Sequence, residues 1–269
     1  MLDLIADLVA EQDYLDSQIA GAPADRWDAP SPAKGWLMRD CVAHLGEMDA
    51  LAAEIAETGA YPRRQPREGR GVLTATQLDA RAMSVPELLA WWRRERQRLA
   101  AALAPLDARA RLPWAGNTMS VRSFATARLM EAWSHGLDAI GAAGAVPVDS
   151  DRLRHIAHIG YATRDFAYRN RGLEPSAEAL RVELAAPSGA TWSYGPEDAP
   201  ASITGTAGDF CRVVTQRIHY SDTDLAYTRG AAEEFLQVAQ AFAGPPGRGR
   251  PPQREATEAE PGSPALERR

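Results

Sequence analysis

The sequence predicts an α+β chain, a helical N-terminal bundle followed by a small mixed domain. Apolar residues recur at helical spacing through most of the first 170 positions. After Pro175 the period shortens to alternation in Leu180-Arg-Val182-Glu-Leu184, the mark of a half-buried strand. From Gly244 onward Pro, Gly, Arg and Glu replace any apolar period. The chain therefore divides into a helical bundle over 1–170, a small α+β domain over 171–245 and a disordered tail over 246–269.

Leu4, Ile5, Leu8, Gln12, Leu15 and Ile19 define the first helix, which Gly21-Ala-Pro23 ends. A polar connection through Trp27, Pro30 and Pro32 leads to Gly35-Trp36, and a second helix runs to about Thr58, with Gly59 as its stop. Tyr61 to Gly71 holds four arginines, two prolines and two glycines, the composition of a solvated loop whose arginines could also meet an anionic substrate. A third helix over Val85 to Leu106 starts with Ser84 as N-cap and Pro86 in its first turn, and Trp91, Trp92, Leu99 and Leu103 supply its packing. Pro105, Pro113, Gly116 and Asn117 predict a loop over 104–119, with Trp114 and Asn117 either packing there or lining a pocket. Ser120 caps the next helix, and Gly141 to Pro147 breaks it. Asp151 to Asn170 reads as one further helix. Thr191 to Tyr194 and Ser202 to Thr206 follow as short strands, then helices from Ala207 to about Ile218 and from Ala231 to Ala243.

The chemistry concentrates in Arg128-Leu-Met-Glu131-Ala-Trp-Ser-His135-Gly-Leu-Asp138. On a helix, Glu131 and His135 stand one turn apart and Arg128 and Asp138 extend their stripe. Val121, Phe124, Met130, Trp133, Leu137 and Ile140 leave little of this helix for solvent, so the ionisable stripe faces inward and needs a partner or a metal. In the second helix His44 falls in line with Leu37, Cys41, Met48, Leu51 and Ile55, where it is either a hydrogen-bonded core histidine or a third ligand. His155 and His158, at i,i+3, compete for the same ion but lack a carboxylate at matching spacing. Arg128 can bind a substrate carboxylate or pair with an acidic neighbour, and Asp138 can orient a ligand histidine, as could the less well placed Asp49.

Gly-Trp-x2-Arg-Asp-x3-His-Leu (Gly35 to Leu45) followed by Arg-x2-Glu-x3-His-x2-Asp (Arg128 to Asp138) resembles the mycothiol-dependent maleylpyruvate isomerase family, within the DinB-like four-helix-bundle superfamily. The resemblance spans about the first 165 residues and implies a divalent metal held by His44, Glu131 and His135, with zinc first and nickel, iron or manganese as alternatives. It implies mycothiol as the thiol cosubstrate. Ile203-Thr-Gly-Thr-Ala-Gly-Asp209-Phe210-Cys211-Arg-Val-Val and Ala239 to Gly247 resemble a wyosine-base-formation-type domain, similar in outline to the sterol-carrier-like C-terminal domains of the isomerase family. With Cys41 and Cys211 as its two cysteines, the chain lacks the closely spaced triplet of an iron–sulfur site, which argues against tRNA modification.

At 269 residues with 45% hydrophobic and 25% charged residues the chain can bury substantial cores, and its net charge of −6 gives no general attraction to nucleic acid or anionic membrane. The acidic start Met-Leu-Asp-Leu-Ile-Ala-Asp, the absence of a long apolar run and two distant cysteines predict a cytoplasmic protein without a disulfide framework, Cys41 being a small core residue or a thiol near His44; a monomer and a homodimer are both open. Two imidazoles and one carboxylate leave a tetrahedral ion an open position, so the expectation is catalysis on a small molecule. The favoured reaction is isomerisation or thiol transfer to an electrophilic or unsaturated metabolite, with Arg128 and Asp138 as catalytic residues. The alternatives are a metal-water hydrolase, hydratase or cyclase, and a non-catalytic metal or small-molecule binding protein.

Overall fold

A computed structural model describes residues 1–63, 69–114, 116–247 and 249–253. The described residues form two compact units, one within 1–159 with 242–244 and the other of 160–241 with 245–247 and 249–253. The architecture is α+β, helical first and then a small sheet domain.

The first unit is built on helices α1 (Leu2–Ile19), α2 (Met38–Thr58), α3 (Ala75–Ala82), α4 (Val85–Leu103) and α5 (Val121–Ala143), with a hairpin of β1 (Arg111–Trp114) and β2 (Asn117–Ser120) before α5. Helix α2 packs against α4 and α5, and α1 against α5. Leu8, Leu15, Ile19, Met38, Leu45, Ile55, Leu88, Trp92, Leu99 and Phe124 fill the core, and Trp27 enters it from a short 3-10 turn over Ala24–Asp28. The α2–α4 approach is close because position 46 is glycine; a Cβ there would lie 2.5 Å from the Trp91 ring. Gly59, at φ +68°, ends α2 in the left-handed conformation that its sequence position predicts.

In the second unit the sheet order is β4 (Thr191–Tyr194), β3 (Leu180–Ala185), β5 (Ala201–Thr206), β6 (Ala226–Tyr227). Strands β3 and β5 are parallel and the outer pairings antiparallel. Leu180, Val182 and Leu184 share one face of β3, the consequence of their alternation, and are buried with Ile203, Phe210, Val214 and Phe235. Helix α8 (Ala207–Val214) packs on β5 and β3, and α9 (Ala231–Val238) on β5.

Several expected boundaries are corrected. The segment 104–119 is not simply a loop: its turn residues join β1 to β2, with Gly116 at φ +79°. Helix α4 stops at Leu103, ahead of Pro105, rather than at Leu106. The single helix expected over 151–170 is two, α6 (Leu153–Ala162) and α7 (Arg164–Arg169), parted at Thr163. Helix α8 ends at Val214 because Gln216 turns into the left-handed region at φ 58°, and α9 ends at Val238. Helix α3 and strand β6 were not expected. Residues 64–68 of the arginine-rich segment and 254–269 of the tail lie outside the described residues. Among the described residues no helix is long and apolar enough to cross a membrane.

Candidate metal centre

The first motif works mainly as architecture. The Asp40 carboxylate accepts the Leu37 amide at 2.8 Å, closing the first turn of α2, and also receives Nε and Nη2 of Arg81. Arg39, 7% exposed, donates Nη1 to the carbonyls of Ala80, Arg81 and Met83 and lies 2.8 Å from Asp28 through Nε. These bonds fasten the start of α2 to the end of α3, and His44 stands one turn further on.

From α5, Glu131 and His135 meet it. The Nε2 atoms of His44 and His135 lie 3.5 and 3.4 Å from the same oxygen, Glu131 Oε2. All three donor atoms fall within 4.8 Å of one another, and among the described residues no other group of three His, Cys, Asp or Glu side chains does so. Ligands about 2.0–2.1 Å from a tetrahedral ion stand roughly 3.3–3.4 Å apart, close to the two histidine–Glu131 distances, so these donors could hold a small divalent ion.

The electrostatics favour ligand-ready protonation states. Burial lowers the His44 pKa, the charges of His135 and Arg128 add to it, and contact with Glu131 opposes, leaving a neutral imidazole at pH 7. Burial alone would raise Glu131, but hydrogen bonds with His135 and His44 and the charges of His135 and Arg128 hold it well below the usual carboxylate range. Asp138, 2% exposed, sets its carboxylate 3.6 Å from His135 Nδ1, the ring nitrogen turned away from Glu131. Trp36 covers both imidazoles, its ring 5.1 Å from that of His44 and stacked at 5.2 Å on that of His135.

Arg128 is 2% exposed, 4.0 Å from Glu131 and 3.9 Å from Asp49, with its guanidinium over the Trp114 ring. Of the two roles open to it, the geometry displays pairing with acids. Asp49 touches neither ligand histidine in the contacts seen; it accepts Gln12 Nε2 at 2.9 Å and faces Arg128. Asn117 bonds its neighbour Thr118, and Trp114 packs edge-on against Phe124. His155 pairs with Asp7 at 2.8 Å, and neither it nor His158 joins the cluster. Sequence reasoning missed the covering role of Trp36 and the Arg128–Asp49 pair. Gln12, a polar residue inside an apolar stripe, was the available signal for the pair.

Burial pushes the Asp49 carboxyl up to about 7, against the pull of the Arg128 and Arg96 charges. A carboxyl whose pKa is raised on folding binds its proton more tightly in the native state, so stability falls as pH rises from about 4 to about 7 and levels above. The contribution is roughly 4 kcal/mol at most. Asp49→Asn is expected to flatten the pH dependence of urea-unfolding free energy across that window; an unchanged slope would remove the raised pKa.

A helical bundle that turns two imidazoles and a carboxylate toward one point defines a candidate metal-binding class of protein. Residues 8–140 match the family model described as mycothiol maleylpyruvate isomerase N-terminal domain. The chain belongs to the mycothiol maleylpyruvate isomerase family through this domain. Two Mycobacterium tuberculosis proteins, uncharacterized protein MT0041 of strain CDC 1551 / Oshkosh and uncharacterized protein Rv0036c of strain ATCC 25618 / H37Rv, are each 45% identical over 253 residues, covering 91% of this chain and 97% of theirs. The crystal structure of the mycothiol-dependent maleylpyruvate isomerase shares the fold at a TM-score of 0.55 and 16% identity, over 86% of this chain and 94% of that one. Its histidine-to-alanine variant aligns over the same shares at 0.53.

Proposed function

We propose that His44, Glu131 and His135 hold a divalent cation, zinc first, and that the protein is an isomerase or thiol transferase using mycothiol on a small electrophilic or unsaturated metabolite. The observation that carries this reading is the convergence of two Nε2 atoms on one Glu131 oxygen at 3.4 and 3.5 Å, the spacing of ligands around a tetrahedral ion. Three protein donors leave a coordination position for a cosubstrate, where a structural site would have four. The family and the isomerase whose fold the chain shares supply the thiol class.

When bound, such an ion supplies Lewis acidity that brings a thiol into its thiolate form near neutral pH. The protein's own groups support this in separate ways. With an ion bound, Asp138, 3.6 Å from Nδ1 of His135, would hold the ring proton there and leave Nε2 to the ion. Arg128 offsets the negative charge of Glu131 and Asp49. Trp36 shields both imidazoles from solvent and gives the substrate an apolar wall.

Calorimetric titration of the zinc-loaded protein with mycothiol tests the reading. Saturable binding at or below millimolar thiol is expected, lost in His44→Ala and absent with the S-methylated thiol. No heat with wild type, or equal binding of the methylated thiol, would redirect the assignment to a reaction of metal-bound water or to a binding protein.

A further inference from the structure

The second unit contains a cavity of about 280 Å³, near the small end of small-molecule sites, that no part of the metal centre touches. It opens between the end of α8, the 3-10 turn Tyr220–Asp222, α9 and the returning chain at Gly249 and Arg250. Val213, Ile218 and Leu236 give it an apolar wall, and Arg171 and Arg250 bring donors. Among the described residues no carboxylate lines it.

The guanidinium of Arg171 is the decisive group. Among the described residues its partners are neutral: Nη1 donates to Gln240 Oε1 at 3.4 Å and Nη2 to the Gly247 carbonyl at 2.9 Å. Burial depresses its pKa with no acid opposing the shift, so the charge sits partly desolvated and uncompensated. His219 lines the same wall, its Nδ1 turned to the Ser221 hydroxyl at 2.7 Å and the Ser221 amide at 3.3 Å, which holds the ring in place. The wall is held by a strained turn. Gln216 is the one non-glycine at positive φ among the described residues, and its side chain ties α8 to the end of α9 by donating to the Ala239 carbonyl at 3.2 Å. The returning chain is fastened on either side of Arg250, by Arg171 at Gly247 and by the Gln253 amide on Asp222 at 2.9 Å.

We propose that this cavity is a second small-molecule site, which takes an organic anion by its carboxylate or phosphate head on Arg171 and Arg250 and packs a compact apolar body against Val213, Ile218 and Leu236. Guanidinium forks recognise both heads by paired charge-assisted bonds, and the apolar wall selects against inorganic ions. The inference does not depend on the metal reading.

Titration calorimetry on the full chain, with benzoate, phenyl phosphate, inorganic phosphate and neutral benzamide as probes, tests it. At least one aryl anion is expected to saturate about tenfold more tightly than inorganic phosphate, benzamide is expected not to bind, and the preferred aryl anion reports which head the site takes. Arg171→Gln and Arg250→Gln are each expected to weaken that binding about tenfold or more, while His44→Ala leaves it unchanged. Circular dichroism checks each variant; should Arg171→Gln lose its fold, Arg250→Gln, on the returning chain, decides alone. No saturable heat below about 10 mM with either aryl anion, benzamide binding as well as benzoate, or wild-type affinity in a folded arginine variant would overturn the proposal, and loss of binding in His44→Ala would move the anion to the metal centre.

Discussion

Glu131→Gln is expected to lower affinity for zinc at least about 100-fold, the upper end of what loss of an outer-shell partner costs, because a first-contact ligand is replaced. The substitution keeps the shape of the side chain but puts a neutral amide, whose oxygen is a much poorer ligand, where both Nε2 atoms converge on a carboxylate. It also removes the negative charge that balances a dication beside Arg128. Metal content after dialysis against a buffered zinc standard reads the effect directly, and turnover should fall with it. Full zinc occupancy in folded Glu131→Gln would show that the three side chains are a hydrogen-bonded cluster and nothing more.

The largest stability effect is expected at Arg128→Leu. Deleting one partner of a buried ion pair typically costs about 3–5 kcal/mol, because the remaining charge stays in low dielectric without compensation. Here the stranded group is chiefly Asp49, 1% exposed, whose pKa Arg128 pulls down. Removing the guanidinium raises Asp49 further above 7, so the penalty is largest near pH 8, where the carboxylate is ionised in wild type. Below about pH 6 the proton neutralises it in both proteins and the loss shrinks. Urea unfolding at pH 8 and pH 5.5 measures the difference, and adding Asp49→Asn should recover much of the loss at pH 8. A pH-independent penalty would assign Arg128 to packing over Trp114 rather than to charge.

What could be read from the chain follows from what each signal depends on. Helices α2 and α5 are long and strongly apolar on their buried sides, so their existence was legible from spacing. The i,i+4 relation of Glu131 and His135 is a property of one helix and was equally plain. That His44 reaches them is a tertiary fact; the resemblance supplied it, and periodicity gave only an imidazole on an apolar face. The short elements escaped because they span too few residues to display a period. Helix α3 has eight, although Thr74 and Gln77 form a capping box that could have marked its start. The β1–β2 hairpin was hidden by its own Pro113, Gly116 and Asn117, read as loop residues although Pro113 and Asn117 sit in the paired strands and Gly116 in the turn between them. The stop at Thr163 and the left-handed turn at Gln216 carry no proline or glycine, so nothing local announced them. The Arg128–Asp49 pair joins two helices 79 positions apart and has no sequence signature beyond the odd polarity of Gln12 (128 − 49 = 79).

The indole lying across His44 and His135 makes the site its own optical probe. A ring at contact distance from both imidazoles must feel any ion they bind, and a paramagnetic one such as nickel would drain its excited state while zinc would chiefly shift its emission. With seven tryptophans in the chain the signal is a minority of the total, but subtracting the spectrum of Trp36→Phe isolates it. Occupancy could then be followed in real time, without chelating dyes, in the same cuvette as turnover.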